Sequence, residues 1–436
     1  MANPFDFINL DFLEAAKPIL GAIWIFFKTW WWVFPPFILF PWLIRFYLEY
    51  KQENFANSLE KVLLEIRIPR EIERPAKSME QVFSNFWTLY DPPTWQEEWL
   101  EGHFLLSFSL EIVSTEGNIH FYLRVPKSLL SMFRSALYSE YSNIELKEVT
   151  DYTKYIPQDI PNKEWDLYGW DFVLTRNSAY PIKTYKDFFE ENDETKEEKR
   201  MSALSVLLEG MSDMGEGEHM WIQIIVKPIL DEVGWKSDAQ KVIDKLASRP
   251  SKKEPRSITM QAIDLLLRGI LPGENGGEES KEVLPPEMKM TPGERGIVQA
   301  VEHKMSKLAF ETSIRFIYLG KRGSFFKPKV KIPLDYSAGV STGSLNGMKP
   351  FKDTLPKRLP PALNRKRKVY VMKRQLLRRY KMRVPPLFPR SGGTFILNTE
   401  ELATLFHFPS ESMAPTLNIS RVDSKKAGPP SDLPVE

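Results

Sequence analysis

From Ile19 to Leu48 the chain reads ILGAIWIFFKTWWWVFPPFILFPWLIRFYL, the most apolar and most aromatic stretch in the sequence. It is interrupted only by Lys28 and by Pro35, Pro36 and Pro41, and is closed by Arg45 and Glu49. A run this long and this poor in charge has the make-up of a bilayer segment, so the expectation is an N-terminal transmembrane helical segment, a membrane anchor with the lipid bilayer as its partner. Trp24, Trp30, Trp31, Trp32 and Trp42 suit the headgroup region, where an indole keeps its N–H wet. Lys28 has to snorkel, and Pro35-Pro36 kinks any helix through it. One kinked span and an interfacial helix followed by a span both satisfy these constraints; an apolar hairpin buried in a soluble domain is the competing reading. Asp6, Asp11 and Glu14 stand where a secretory signal peptide needs positive charge. Lys17 precedes the run whereas Arg45, Lys51 and Lys61 follow it. That asymmetry places the C-terminal body in the cytoplasm and the anchor in the cell inner (cytoplasmic) membrane.

At 436 residues the chain has room for two or three domains behind the anchor. A net charge of +2 says little on average, but its distribution is uneven. Acidic clusters occupy 190–198 and 274–282, and the chain turns basic from Lys357 onward. With no cysteine it agrees with a reducing compartment. Thirty-four prolines against twenty-two glycines imply many sharp connections.

Residues 1–58 are the anchor and its polar exit helix. In 59–160, Leu64, Ile66 and Ile68 alternate as a strand, and Met79, Val82, Phe83, Phe86 and Tyr90 follow at helical spacing. Phe104 to Ile112 and Ile119 to Val125 alternate on either side of Glu116-Gly117-Asn118, which predicts a hairpin. A helix opened by Pro126 and a strand at Ile144–Leu146 complete β-α-β-β-α-β, the split βαβ order of ferredoxin-like modules. Residues 161–350 repeat strands and helices as a second α+β module, interrupted by a Gly-, Pro- and Glu-rich insertion at 269–292 that has little to bury. A further amphipathic helix is expected at 258–267. Thr291-Pro292-Gly293-Glu294 and Asn398-Thr399-Glu400-Glu401 have the spacing of capping boxes. Residues 351–410 form a basic segment with a short strand and helix, and 411–436 a polar, Pro-rich tail. The fold class expected is therefore α+β, a transmembrane segment followed by ferredoxin-like modules.

Chemical motifs are few. The sequence has no P-loop, no G-x-G-x-x-G and no metal-ligand spacing among its five histidines, so no cofactor and no metal is assigned. Gly339-Val340-Ser341-Thr342-Gly343 matches G-x-S-x-G but lacks the strand that a nucleophile elbow needs before it. No acidic residue occurs between Thr354 and Ser391, whereas Arg365, Lys366, Arg367, Lys368, Lys373, Arg374, Arg378, Arg379, Lys381 and Arg383 are all basic. Charge of that density attracts nucleic-acid phosphates or anionic lipid; a solvated helix is the plainer reading. Val369, Met372, Leu376 and Leu377 imply that the middle of the run packs on something.

Four stretches taken together resemble a known family: 63–83 (LLEIRIPREIERPAKSMEQVF), 293–319 with Glu302 and Lys304 ahead of SIRFIY, 394–409 (TFILNTEELATLFHFP) and 424–434 (SKKAGPPSDLP). They are similar to the membrane-anchored N-terminal region of type IV secretion, conjugation-type ATPases of the HerA/FtsK-like class in candidate-phyla bacteria. The resemblance implies a bacterial membrane-bound DNA or protein translocation assembly. Without Walker residues this chain is expected to be its non-enzymatic scaffold or adaptor, a homo- or hetero-oligomer partnering a separately encoded P-loop ATPase. A membrane-bound hydrolase using Ser341 and a purely structural membrane protein are the alternatives.

Overall fold

The computed structural model describes residues 18, 21, 24–25, 28–30, 32, 34–69, 72, 75–188, 203–230, 234–247, 290–356, 365–384, 393–409 and 417–422. Trp31, the acidic cluster at 190–198 and that at 274–282, the helix at 258–267, nearly all of the insertion and most of the polar tail lie outside these residues. The chain divides into two compact units, 1–60 with 91–105, and 61–90 with 106–436.

In the first unit, α1 (Phe34–Ser58) has Phe55 in ring contact with His103 and edge-on to Phe104, just after a wide turn of π-helix at Glu97–Glu101. Phe104, expected to begin a strand, belongs here instead. This unit also corrects the expected transmembrane segment, for among the described residues no helix is long and apolar enough to cross a membrane. The reason lies in the sequence of α1. Pro35 and Pro36 sit in its first turn, where a missing N–H is harmless, so the helix begins at the prolines and is not kinked by them. Its apolar part then ends at Leu48, about 22 Å further on at 1.5 Å per residue, against roughly 30 Å of hydrocarbon. Pro41, Trp42, Arg45 and Tyr47 dilute even that length. The fold class is mixed α/β with a large antiparallel sheet.

The second unit is built on that sheet. Its strands are β1 (Lys61–Arg67), β2 (Phe108–Thr115), β3 (Asn118–Pro126), β4 (Glu145–Val149), β5 (Trp165–Leu174), β6 (Glu218–Ile229), β7 (Ala309–Lys321), β8 (Met348–Pro350) and β9 (Phe395–Asn398). They lie in the order β4-β1-β3-β2-β6-β7-β5-β8, with β9 on β7, and every pairing is antiparallel. The β2–β3 hairpin turns on Glu116 and Gly117, both at positive φ, the backbone that a two-residue turn between twisted strands requires. The two α+β halves share one sheet, because β2 pairs with β6 from Phe108↔Val226 to Thr115↔His219.

Helices cover both faces. On the first lie α2 (Pro75–Trp87), α3 (Leu130–Glu140) and α4 (Ala203–Ser212). α5 (Trp235–Leu246) and α6 (Pro292–Ser306) pack on each other through Ala239, Ile243, Val298 and Val301. α7 (Ile332–Gly339) packs on α4. The second face carries α8 (Arg365–Met382), and α9 (Thr399–Leu405) returns to the first beside α2. With both faces covered, strands such as β6 read as continuous apolar runs. Phe83, Phe86, Phe108, Phe133 and Phe310 meet edge to face in the larger core. Both capping boxes form, at Thr291–Glu294 and Asn398–Glu401.

Two buried groups near α9 tie this packing to pH. Burial raises the Glu400 carboxyl, but hydrogen bonds from Lys186, Lys307, Thr184 and His303 outweigh it and hold the group at about 2. Burial pushes the His407 imidazole down to about 4, against a hydrogen bond donated to the Ala403 carbonyl. Both shifts are downward, so both groups bind protons more readily in the unfolded chain, and stability falls with pH through each window. His407 contributes a loss from its ordinary 6.5 down to about 4, and Glu400 a loss from 4.5 down to about 2. Urea midpoints taken from pH 7 to 4 should fall steadily for the wild type, and His407→Gln should flatten that slope. An identical slope in the variant would contradict the assignment.

Candidate functional site: a basic helix fastened over a polar row

The strand register draws a line of polar side chains across the second face. Lys147 stands opposite Glu65, Glu65 opposite Tyr122, Tyr122 opposite Glu111, Glu111 opposite Gln223, Gln223 opposite Arg315 and Arg315 opposite Asp171. Directly opposed residues share a face, so seven strands contribute to one row. Glu65, Glu111, Gln223, Arg315 and Asp171 are all buried. Apolar side chains flank the row, namely Leu63, Val113, Trp221, Ile317 and Leu167.

Helix α8 seals the row. Leu376, Leu377 and Tyr380 face inward at helical spacing and join the apolar flank. Burying such side chains contributes about 1.5–3 kcal/mol each. Gly169 on β5 makes the close approach possible, since a Cβ there would fall 3.0 Å from Leu376 Cδ2 and 2.2 Å from the Phe316 carbonyl oxygen.

The helix ends on Arg383. Arg383 N donates to the Tyr380 carbonyl and Val384 N to that of Arg379, the paired bonds of a Schellman motif. Arg383 holds the left-handed position that glycine normally takes, at φ 53°. For a residue with a Cβ this backbone costs roughly 1–2 kcal/mol. What offsets it is the guanidinium: Nε donates to Glu111 Oε1 at 2.8 Å, and Nη1 and Nη2 reach the Asp151 carboxylate. Ser109 and Gln223 also donate to Glu111 Oε1, and Tyr152 donates to Oε2 at 2.7 Å while touching the Tyr380 hydroxyl at 2.6 Å.

This arrangement fixes what the row can do chemically. Burial raises the Glu111 carboxyl, but the Arg383 charge and the hydrogen bonds from Arg383, Tyr152 and Ser109 bring it below the ordinary range. Burial sends both tyrosine hydroxyls far upward. An ionised carboxylate with its lone pairs filled is a poor base, and a phenol held protonated beside it is a poor acid. Further along, Arg315 Nε donates to Asp171 Oδ1 at 2.6 Å and Nη2 to the Val384 carbonyl, which extends the fastening beyond the helix end. At the other end Glu65 accepts from His120 and Ser420, and His120 foremost lowers its pKa.

The residues singled out from the sequence fall into three groups. Arg383 is a buried fastener; Lys373 pairs with Asp166 at 2.6 Å and Lys381 reaches Gln158. Arg379 is half-buried near Asp171 and Arg315. Lys366, Arg367, Lys368, Arg374 and Arg378 are exposed and form no ion pair with any described residue. The helix thus turns a basic ridge outward, along which Lys366, Tyr370, Arg374 and Arg378 recur every fourth residue and the Arg374 guanidinium lies over the Tyr370 ring. Arg365 lies on α8, its side chain outside the described set.

Of the aromatic leader, Trp24, Trp30, Trp32, Pro36 and Trp42 are exposed, Pro35 is half-buried, and Arg45 pairs with Glu49. Ser341 follows a helix, α7, where an elbow needs a strand. Its hydroxyl donates to the Ser337 carbonyl at 2.6 Å and accepts from Met348 N at 3.1 Å. No cluster among the described residues could hold a metal ion. Sequence reasoning missed Glu111, Asp151 and the row itself. The available signal was one charged or amide residue, Glu65, Glu111, Gln223 or Arg315, in the middle of the apolar run of β1, β2, β6 and β7.

Removing Arg383 strands the Glu111 carboxylate in the core. Arg383→Gly keeps the backbone conformation and should destabilise by roughly 3–5 kcal/mol in urea titration. Adding Glu111→Gln should restore a substantial part of that loss. Additive losses would show that the two residues do not act as a pair.

No curated protein matches the chain. A family model described as "Domain of unknown function (DUF8128)" matches residues 49–331, which takes in every strand residue of the polar row but not α8. On that match, covering well over half of its length, the chain belongs to this family.

Proposed function

We propose that the protein is a non-enzymatic scaffold that holds a basic helix against nucleic acid, in the role of an adaptor beside a P-loop ATPase of a type IV secretion-like translocation machine. The observation that carries the nucleic-acid part is the division of labour on α8: the inward face is used up in packing and ion pairs, whereas Lys366, Arg367, Lys368, Arg374 and Arg378 point outward with no counter-charge among the described residues. A helix of 18 residues carries that ridge over about 27 Å, enough to follow several successive phosphates. Arginine and tyrosine together favour nucleic acid, since both bond phosphate and stack on bases. The translocation setting rests on the sequence resemblance.

Five phosphate contacts predict a steep salt dependence. Affinity for a duplex DNA probe should fall by roughly two to three orders of magnitude between about 50 and 200 mM salt. Replacing the five ridge residues with glutamine should flatten that dependence without altering the far-ultraviolet circular dichroism spectrum. An unaltered slope in the variant would refute the ridge as the contact. Binding to phosphatidylserine vesicles with none to DNA would assign the charge to lipid instead. Co-precipitation of a P-loop ATPase with the tagged native protein tests the adaptor role, and repeated failure in the native host would overturn it.

A further inference from the structure

One register step from the polar row, Leu63 stands opposite Arg124, Arg124 opposite Ser109 and Ser109 opposite Ile225. Here the second face is not sealed by α8. A small cavity opens instead, lined by Lys61, Ser109, Arg124 and Arg383 together with the Met382 side of the helix end.

The charge around this cavity is unbalanced. Asp151 and Glu111 are both engaged by Arg383. Arg124 is half-buried on β3, and Lys61 opens β1; neither side chain makes an ion pair or hydrogen bond with a described residue. Burial, then Arg124 and Arg383, lower the Lys61 ammonium below its usual range. Burial and then Arg383 act on Arg124 in the same direction. Glu111 and Asp151 attract Arg124 as well, but Arg383 already engages both, so three cations share two carboxylates. Since arginine does not shed its proton, one positive charge stays unbalanced among the described residues. An outside anion can balance that charge, and the two cationic heads supply the hydrogen bonds an oxyanion needs.

We propose that this cavity is an oxyanion site, in which Arg124 and Lys61 bind a phosphate-class group against the positive background of Arg383. The group is either free phosphate or the terminal phosphomonoester of a nucleotide chain, and both present the same oxygens. The site does not rest on the nucleic-acid reading of the α8 ridge, whose residues it does not share.

The test is thermal unfolding of the full chain in inorganic phosphate against chloride at equal ionic strength. Phosphate should raise the wild-type Tm in a saturable way, and Arg124→Gln and Lys61→Gln should each weaken the apparent Kd by at least tenfold. In chloride alone, both variants should melt at or above the wild-type temperature, because each removes a like charge from the cluster. A merely structural role would give the opposite sign. Should Arg124→Gln fail to fold, Lys61→Gln at the exposed start of β1 carries the test. No phosphate response in the wild type, or an equal one in wild type and Lys61→Gln, overturns the proposal. A 5′-phosphorylated oligonucleotide that binds tenfold tighter than its 5′-hydroxyl form, with the difference lost in Lys61→Gln, would identify the nucleotide source. Free phosphate competing equally with both would identify the other.

Discussion

Arg383 reaching Glu111 and Asp151 is the interaction on which the second face depends. The guanidinium is buried, its backbone occupies a conformation that disfavours side chains, and it ends the only described helix with a basic outer ridge. Take it away and three things fail together: the Glu111 charge is left in a dry core, the Schellman turn loses its tether, and α8 loses its buried anchor, keeping Leu376, Leu377 and Tyr380 and the bonds of Lys373 to Asp166 and Lys381 to Gln158. A buried ion pair is weak evidence for net stability, since apolar residues of equal volume could pack as well. What the pair does supply is position. Its hydrogen bonds fix where the helix ends, and hence which residues of the helix face outward.

The same logic runs along the polar row. Seven strands each place one polar or charged side chain at a common register, with Leu63, Val113, Trp221 and Ile317 as apolar neighbours on the same face. A slip of one residue in any pairing would turn that side chain into the opposite core. The row therefore acts as a register mark as well as a seat for α8, and Arg315 bonding both Asp171 and Val384 links the two roles.

Much of the second unit could be read from the residues. Strict alternation marks β1 and β3, and Glu116-Gly117 marks the turn between β2 and β3. Thr291 and Asn398 announce their helices by hydrogen-bond chemistry that is local in the chain. The polar row was not legible, because its meaning lies in which strand stands beside which, and β2 meets β6 only after a long excursion of chain. Arg383 looked like one more cation in a basic run; nothing local sets it apart from Arg379 or Lys381. The leader was misread for a different reason. Tryptophan, tyrosine and proline count as apolar in a composition, yet indole N–H, phenol and an N-substituted backbone are poor material for a hydrocarbon core. At Pro35-Pro36 the chain starts a helix, and the apolar length after that point is too short.

The long excursion between β2 and β6 has a consequence during synthesis. β1 to β4 are complete once Val149 is made, but the outer rim of β2 then shows a row of unpaired amides and carbonyls beside Phe108, Leu110 and Ile112. Its partner, Glu218–Ile229, is translated about seventy residues later, which at 5–20 residues per second is on the order of 4–14 s. For that interval a nascent chain carries an open, apolar strand edge of the kind that recruits neighbouring polypeptides. Ribosome-associated chaperones, and the decoding rate ahead of Glu218, would act on this protein at that point.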